Sequence, residues 1–195
     1  MVEPAKAAEA WQRTEPTTVH EAAYRTIVAK TFVMPDGQTA TFGTFHSETA
    51  HFVATIALTT DNQVIVARQF RPGPERIMEE LPGGGVEAEE TSEAAARREL
   101  QEESGYRAGK MTFLGSSCRD GYWNAKHDYW LATDCVLTTE ERHLDDDEHI
   151  IVKLISIDQL VANALKDRMT DPYAVLLAYN RLRDLNGGTF DEESH

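Results

Sequence analysis

The stretch from Glu80 to Tyr106, ELPGGGVEAEETSEAAARRELQEESGY, constrains this chain more than any other. It opens on a Pro-Gly-Gly-Gly turn and runs into a charged helix carrying Arg98, Glu99, Glu102 and Glu103. At about 100° per residue, the three glutamates fall at roughly 0°, 300° and 40°, within an arc of about 100°. Like charges four residues apart cost a helix about 0.2–0.5 kcal/mol each. A divalent cation would relieve that cost, and hard ions such as Mg²⁺ take carboxylate oxygens while keeping several waters. Read alone, ARRELQEES is first a solvated charged face, as most charge runs are.

Spacing decides between the two readings. From Gly84, five residues precede Glu90 and seven more precede Arg98-Glu99; Leu100, Gln101, Glu102-Glu103, Ser104, Gly105 and Tyr106 follow. The order G-x5-E-x7-R-E-U-x-E-E-x-G-U, with U a bulky apolar residue, resembles the signature box of the Nudix hydrolases. Tyr106 stands where that box has an aliphatic residue. Three further features resemble the ADP-ribose pyrophosphatase-like, or nucleoside-diphosphate-sugar, branch. They are Arg68-Gln69-Phe70-Arg71 ahead of the box, the Glu80-Leu81-Pro82-Gly83-Gly84 entry, and Asp145–Glu148 followed by a strand and two helices. The resemblance covers residues 20–185. Members specific for ADP-ribose carry a Pro about sixteen residues past the box; Ser117-Cys118-Arg119-Asp120-Gly121-Tyr122 has none.

The resemblance implies an α/β fold: an α/β/α sandwich around a mixed sheet, with an N-terminal β-hairpin extension. The chain then divides into a flexible arm (residues 1–20), N-terminal strands that build a homodimer (21–50), a catalytic domain (51–186) and a disordered tail (187–195). The implied reaction is Mg²⁺- or Mn²⁺-dependent cleavage of a nucleoside diphosphate sugar, such as ADP-ribose or GDP-mannose, to a nucleoside monophosphate and a sugar phosphate. Glu99 and Glu103 are the expected principal metal ligands, with Glu102 a further one and the Gly83 carbonyl a backbone ligand. Glu102 and Glu103 are also carried as catalytic. Arg98 is expected to orient the glutamates and Glu90 to brace the loop. Glu148 is assigned as general base, with Asp146 and Asp147 next; without the resemblance, residues 145–148 read as a solvated acidic loop. Arg68 and Arg71 are candidate diphosphate contacts, Glu80 a candidate acceptor from base or ribose, and Tyr122 a candidate stacking residue. A hydrolase of dinucleoside polyphosphates, coenzyme A or oxidised nucleotides, and a non-hydrolytic binding protein of the same fold, are the alternatives.

Composition narrows the partners. A net charge of −14 excludes a nucleic-acid backbone as ligand, which needs a basic stripe. Two cysteines, Cys118 and Cys135, with no CxxC pair, suit a reducing compartment and no zinc site. The start, MVEPAKAAEAWQ, has no apolar core, and no run is long enough to span a membrane. The expected setting is the cytoplasm.

Along the chain, a short helix is read at 5–13 and strands at 24–34 and 38–46, joined by the turn Pro35-Asp36-Gly37. Strands follow at 52–58, 63–70, 77–81, 111–118, 127–136 and 150–155. The box helix starts near Thr91 or Ser92 and stops at Gly105. Ser156-x-x-Gln159 opens a helix to about Lys166, and Thr170-Asp171-Pro172 opens the last one.

Overall fold

The computed structural model describes residues 10–22, 25–140, 142–144 and 149–190, with backbone alone at 15, 16 and 22. The chain divides into two compact units, one from the residues up to Ala50 together with Asp120–Ala125, the other from His51–Arg119 and Lys126 onwards.

The first unit is an antiparallel sheet of β1 (Gln12–Ala22), β2 (Arg25–Val33) and β3 (Thr39–Phe45), in the order β1-β2-β3. The β2–β3 connection is the expected turn, with Gly37 at φ 81°. Residues 12–20, read from their polarity as a loose arm, are instead strand. β1 draws its order from backbone pairing along β2, from Gln12↔Val33 to Ala22↔Arg25, which composition does not reveal. The helix read at 5–13 ends inside that strand; its residues 5–9 lie outside the described ones. Trp11, Phe32 and Phe42 cluster on this sheet, and the Tyr122 ring lies 6.3 Å from Phe42.

The second unit is built around β4 (His51–Thr59), whose residues from Val53 onwards are all buried. β5 (Val64–Arg71) returns antiparallel to it, but the two strands pair only at Ala57↔Ile65 and Leu58↔Val64 before they part. Into the opening goes β6 (Arg76–Glu80), paired with the far end of β5 from Ala67↔Glu80 to Arg71↔Arg76. The chain then crosses to β4, where the N–H groups of Thr55 and Val53 donate to the Pro82 and Gly84 carbonyls at 2.9 Å each. Next come the helix α1 (Ser92–Ser104), the two-residue β7 (Tyr106–Arg107), β8 (Lys110–Ser117) and β9 (Lys126–Leu137). β9 lies parallel to β4 and carries β8 and β7 on its other edge. β10 (Ile151–Ile155) closes the sheet beside β5 and leads into α2 (Ile157–Leu165) and α3 (Pro172–Leu185).

Strand alternation sorts the core into two layers. Ala57, Ile65, Ala132 and Cys135 meet Leu100 of α1, while Ile56, Leu58, Val64, Val66 and Leu131 meet Leu160, Val161, Val175 and Leu182 of α2 and α3. One helix on one face of a mixed sheet and two on the other is the expected α/β/α sandwich. Thr91 caps α1 by accepting from the Ala94 N–H, Gly105 ends it at φ 76°, and Ser156 caps α2 from the Gln159 N–H. Asp171 precedes Pro172 as expected but makes no side-chain cap bond; its carboxylate is used elsewhere. The tail read as disordered is ordered at least to Phe190, whose ring packs 5.0 Å from that of Tyr179; residues 191–195 lie outside the described ones. Among the described residues, no helix is long and apolar enough to cross a membrane.

Candidate active site

The place where β4 and β5 part collects the charged groups of the second unit. On the α1 face of β5 and β6, Arg71 grips Glu80 with two donors: Nε to Oε1 at 2.5 Å, and Nη2 to Oε2. Gln69 Nε2 also donates to Glu80 Oε2, at 3.2 Å. Glu80 is only 4% exposed, so the carboxylate is held by these partners rather than offered to solvent. The pair raises the affinity of Arg71 for its proton, and Glu103 and Asp171 add to that effect, which puts all three carboxylates within electrostatic reach of one guanidinium. One edge of that guanidinium, Nε with Nη2, is committed to Glu80; Nη1 keeps donors for an anion.

The glycine turn brings α1 against this point. The Gly83 N–H donates to Glu103 Oε2 at 3.1 Å, and Glu103 is 5% exposed. A Cβ at Gly83 would sit 2.2 Å from the Val53 carbonyl oxygen, and one at Gly84 would sit 2.3 Å from Glu99 Oε1. Only glycine lets this turn lie flat on β4 and under the Glu99 carboxylate.

Arg98 is the hub of the remaining carboxylates. Its Nη1 donates to Glu99 Oε1 at 2.8 Å and Glu102 Oε2 at 3.0 Å, its Nε and Nη2 to the two oxygens of Glu90, and Nη2 to the Gly85 carbonyl at 2.9 Å. Hydrogen bonding to Arg98 holds the Glu90 carboxyl below its usual range, and the same pairs push the Arg98 guanidinium up. The N-terminal end of α1 is tied down by Asp128. Burial works to raise that carboxyl, but hydrogen bonds from Ser116, Lys126, Ser92 and His51 outweigh it and hold the carboxyl low.

Behind Arg71, on the α3 face, lies a second buried group. Arg119 Nη2 donates to the Thr170 carbonyl at 2.5 Å and to Asp171 Oδ1 at 3.2 Å, and the Thr170 hydroxyl donates to Asp171 Oδ2 at 2.7 Å. Burial raises the Asp171 carboxyl despite Arg119. His127 Nε2 stands 4.0 Å from Asp171 Oδ1, with its ring stacked on Tyr129 at 4.7 Å. Burial, and after it the Arg119 charge, push the His127 imidazole down to about 4 from 6.5. The unfolded chain therefore takes up a proton below pH 6.5 that the folded one refuses until about pH 4. Stability is expected to fall as pH drops through that window and to level off below it, by on the order of 3 kcal/mol for this group. Urea unfolding between pH 7 and pH 4 reads it, and His127→Gln should flatten that part of the profile; an unchanged slope refutes the assignment.

Of the residues singled out in the sequence, Glu99, Glu102, Glu103, Gly83, Arg71 and Glu80 are brought together. Arg68 is not: it pairs across to Glu79 on the α2 face, opposite Arg71. Tyr122 belongs to the first unit. Glu148, with Asp145–Asp147, lies outside the described residues. Sequence reasoning missed Arg119, His127 and the buried role of Asp171; the Asp-Pro pair reads as a helix cap, and nothing in sequence joins position 119 to position 171.

Among the described residues no three carboxylate, imidazole or thiol groups already converge on a point that would hold an ion. Glu103 is turned to Gly83, while Glu99 and Glu102 are turned to Arg98. The donor set nevertheless suits a hard divalent cation: carboxylate and carbonyl oxygens without sulfur or nitrogen, beside the hollow that a Cβ at Gly84 would fill.

The sequence and the fold are similar to those of known proteins. Residues 50–178 match the NUDIX domain model. The chain is 35% identical over 107 residues to the ADP-ribose pyrophosphatase of Bacillus subtilis, covering 54% of this chain and 58% of that one. The match thus spans less than two thirds of that relative's length. It is 28% identical over 144 residues to the methanol dehydrogenase activator of Bacillus methanolicus, covering 73% of this chain and 77% of that one. A crystal structure described as an ADP compounds hydrolase superposes with a TM-score of 0.75 over 95% of this chain and 100% of its own, at 19% identity, which shows a shared fold.

Proposed function

The chain belongs to the NUDIX domain family, and from that premise we propose that it is a divalent-metal-dependent pyrophosphatase that splits nucleoside diphosphate sugars, of the ADP-ribose kind, into a nucleoside monophosphate and a sugar phosphate. The observation that carries this reading is the meeting of the α1 carboxylates with an arginine held for an anion. Glu103 accepts from Gly83, and within electrostatic reach Arg71 is locked on Glu80 with donors to spare.

Glu99, Glu102, Glu103 and the Gly83 carbonyl would hold the metal, Mg²⁺ or Mn²⁺. When bound, it supplies charge neutralisation on phosphoryl oxygens and a lowered pKa for coordinated water. Arg71 binds a diphosphate oxygen, and Glu80 acts through it, fixing the plane of the guanidinium. Arg98 draws Glu99 and Glu102 to one nitrogen, which offsets their mutual repulsion and holds their side chains on one side of α1; Glu90 anchors Arg98 in turn. In the reaction, water forms a new O–P bond as the bridging P–O bond breaks. The water proton passes to a carboxylate, assigned to Glu148 on sequence grounds, and the second phosphomonoester leaves with the bridging oxygen.

A screen of nucleotide sugars, dinucleoside polyphosphates, coenzyme A and nucleoside triphosphates, read by coupled phosphate release with Mg²⁺ and with Mn²⁺, tests the reading. Metal-dependent release of a nucleoside monophosphate from a nucleotide sugar is the expected result. Preference for any other class overturns the substrate; no hydrolysis of any with either metal overturns the enzyme. The same preparation is expected to be a homodimer by light scattering; a fully active monomer refutes that.

A further inference from the structure

Along β6, where α2 and the turn that follows it meet the strand, a cleft of about 410 Å³ opens. Arg68, Arg76 and Arg168 line it, together with Met78, Glu79 and Asn163. Its walls are joined through backbone: the Glu79 N–H donates to the Arg168 carbonyl at 3.1 Å and the Arg168 N–H to the Asn163 carbonyl at 2.9 Å.

Charge in this cleft is unbalanced. Arg76 is neutralised by Asp167, donating to its Oδ2 and its carbonyl at 2.6 Å each. The guanidinium groups of Arg68 and Arg168 have no ion-pair or hydrogen-bond partner among the described residues. In a chain of net charge −14, two unneutralised guanidiniums lining one cleft favour an anion there, and the planar fork of arginine matches phosphate oxygens in pairs. Glu79 is an acceptor set among these donors. Gln159 Nε2 donates to Asn163 Oδ1 at 2.7 Å, and Asn163 Nδ2 donates to Glu79 Oε2, which fixes the carboxylate and leaves Oε1 for a donor. A carboxylate repels phosphate but accepts from hydroxyls. A bare phosphate ion would fill only a fraction of the space, whose size falls in the range of small-molecule sites.

We propose that this cleft binds a phosphomonoester that bears hydroxyl groups, a sugar phosphate or a nucleoside monophosphate, with Arg68 and Arg168 on the phosphate and Glu79 on a hydroxyl. The products of the proposed reaction belong to the same class, but the site stands without that reading.

The test is isothermal calorimetry on the full chain, stripped of divalent cations with EDTA and titrated with ribose 5-phosphate, AMP or inorganic phosphate. The expected result is saturable binding of ribose 5-phosphate or AMP, the stronger of the two identifying the source. Binding should weaken about tenfold or more in Arg68→Ala and in Arg168→Gln. Arg168→Gln keeps the backbone bonds that join the cleft and should hydrolyse substrate at the wild-type rate. Absence of saturable binding, or binding unchanged in Arg168→Gln, overturns the site. Inorganic phosphate binding as tightly as ribose 5-phosphate and AMP overturns the ligand class. Because the titration needs neither metal nor turnover, loss of the hydrolase reading leaves its outcome intact.

Discussion

Glu103→Gln is expected to fold as the wild type does and to turn over at least about 10²-fold more slowly. The substitution removes a charge and almost nothing else. An amide oxygen can still accept from the Gly83 N–H, so the link between the turn and α1 survives. The carboxylate it replaces is 5% exposed and lies within reach of Arg71, where its charge is little screened. Circular dichroism and urea midpoints report the fold, and kcat at saturating metal reports the charge. A folded E103Q protein with wild-type turnover would remove Glu103 from the metal set.

A second large loss is expected from Glu148→Gln, by about 10²–10⁴ in kcat with KM little changed, as for a base that acts in the transition state. Glu80 is spent on Arg71 and Gln69; Glu90, Glu99 and Glu102 are drawn to Arg98; Asp171 is held by Arg119 and Thr170. A base that takes a proton during turnover is better supplied from outside these pairs, and Asp145–Glu148 is the carboxylate-rich stretch that remains. Asp145→Asn should be nearly silent. If Asp146 or Asp147 carries the loss, the stretch keeps its role and Glu148 loses it. If no single substitution among the four lowers kcat more than a few-fold, the base lies among the box glutamates, with Glu102 first.

The box helix and its surroundings were legible because their signals are local. Thr91 and Gly105 cap α1 as their chemistry dictates, and the helical period places three glutamates together without reference to anything distant. The strands of the second unit were legible where burial is continuous, as in β4. β1 was not, because QRTEPTTVHEA owes its strand to a neighbour rather than to an apolar pattern. Phe190 was lost in the same way, its order coming from Tyr179 on α3. The pairing of Arg119 with Asp171 joins residues far apart in sequence, and only the fold brings them within 3.2 Å. The parting of Arg68 from Arg71 was within reach, since the period of a strand sends residues three apart to opposite faces. Their likeness as a motif concealed it.

That odd separation makes the length of β5 matter more than its composition. Arg71 serves the face that holds Glu80, and Arg68 the face that holds Glu79, in a register that runs unbroken from Ala67↔Glu80 to Arg71↔Arg76. A single inserted or deleted residue between the two arginines would carry one of them through the sheet and leave both guanidiniums on one side. One layer would then hold a surplus of cations and the other a carboxylate, Glu80 or Glu79, without its arginine from β5. Substitution can alter either face of this strand alone; a change of length by one residue alters both at once.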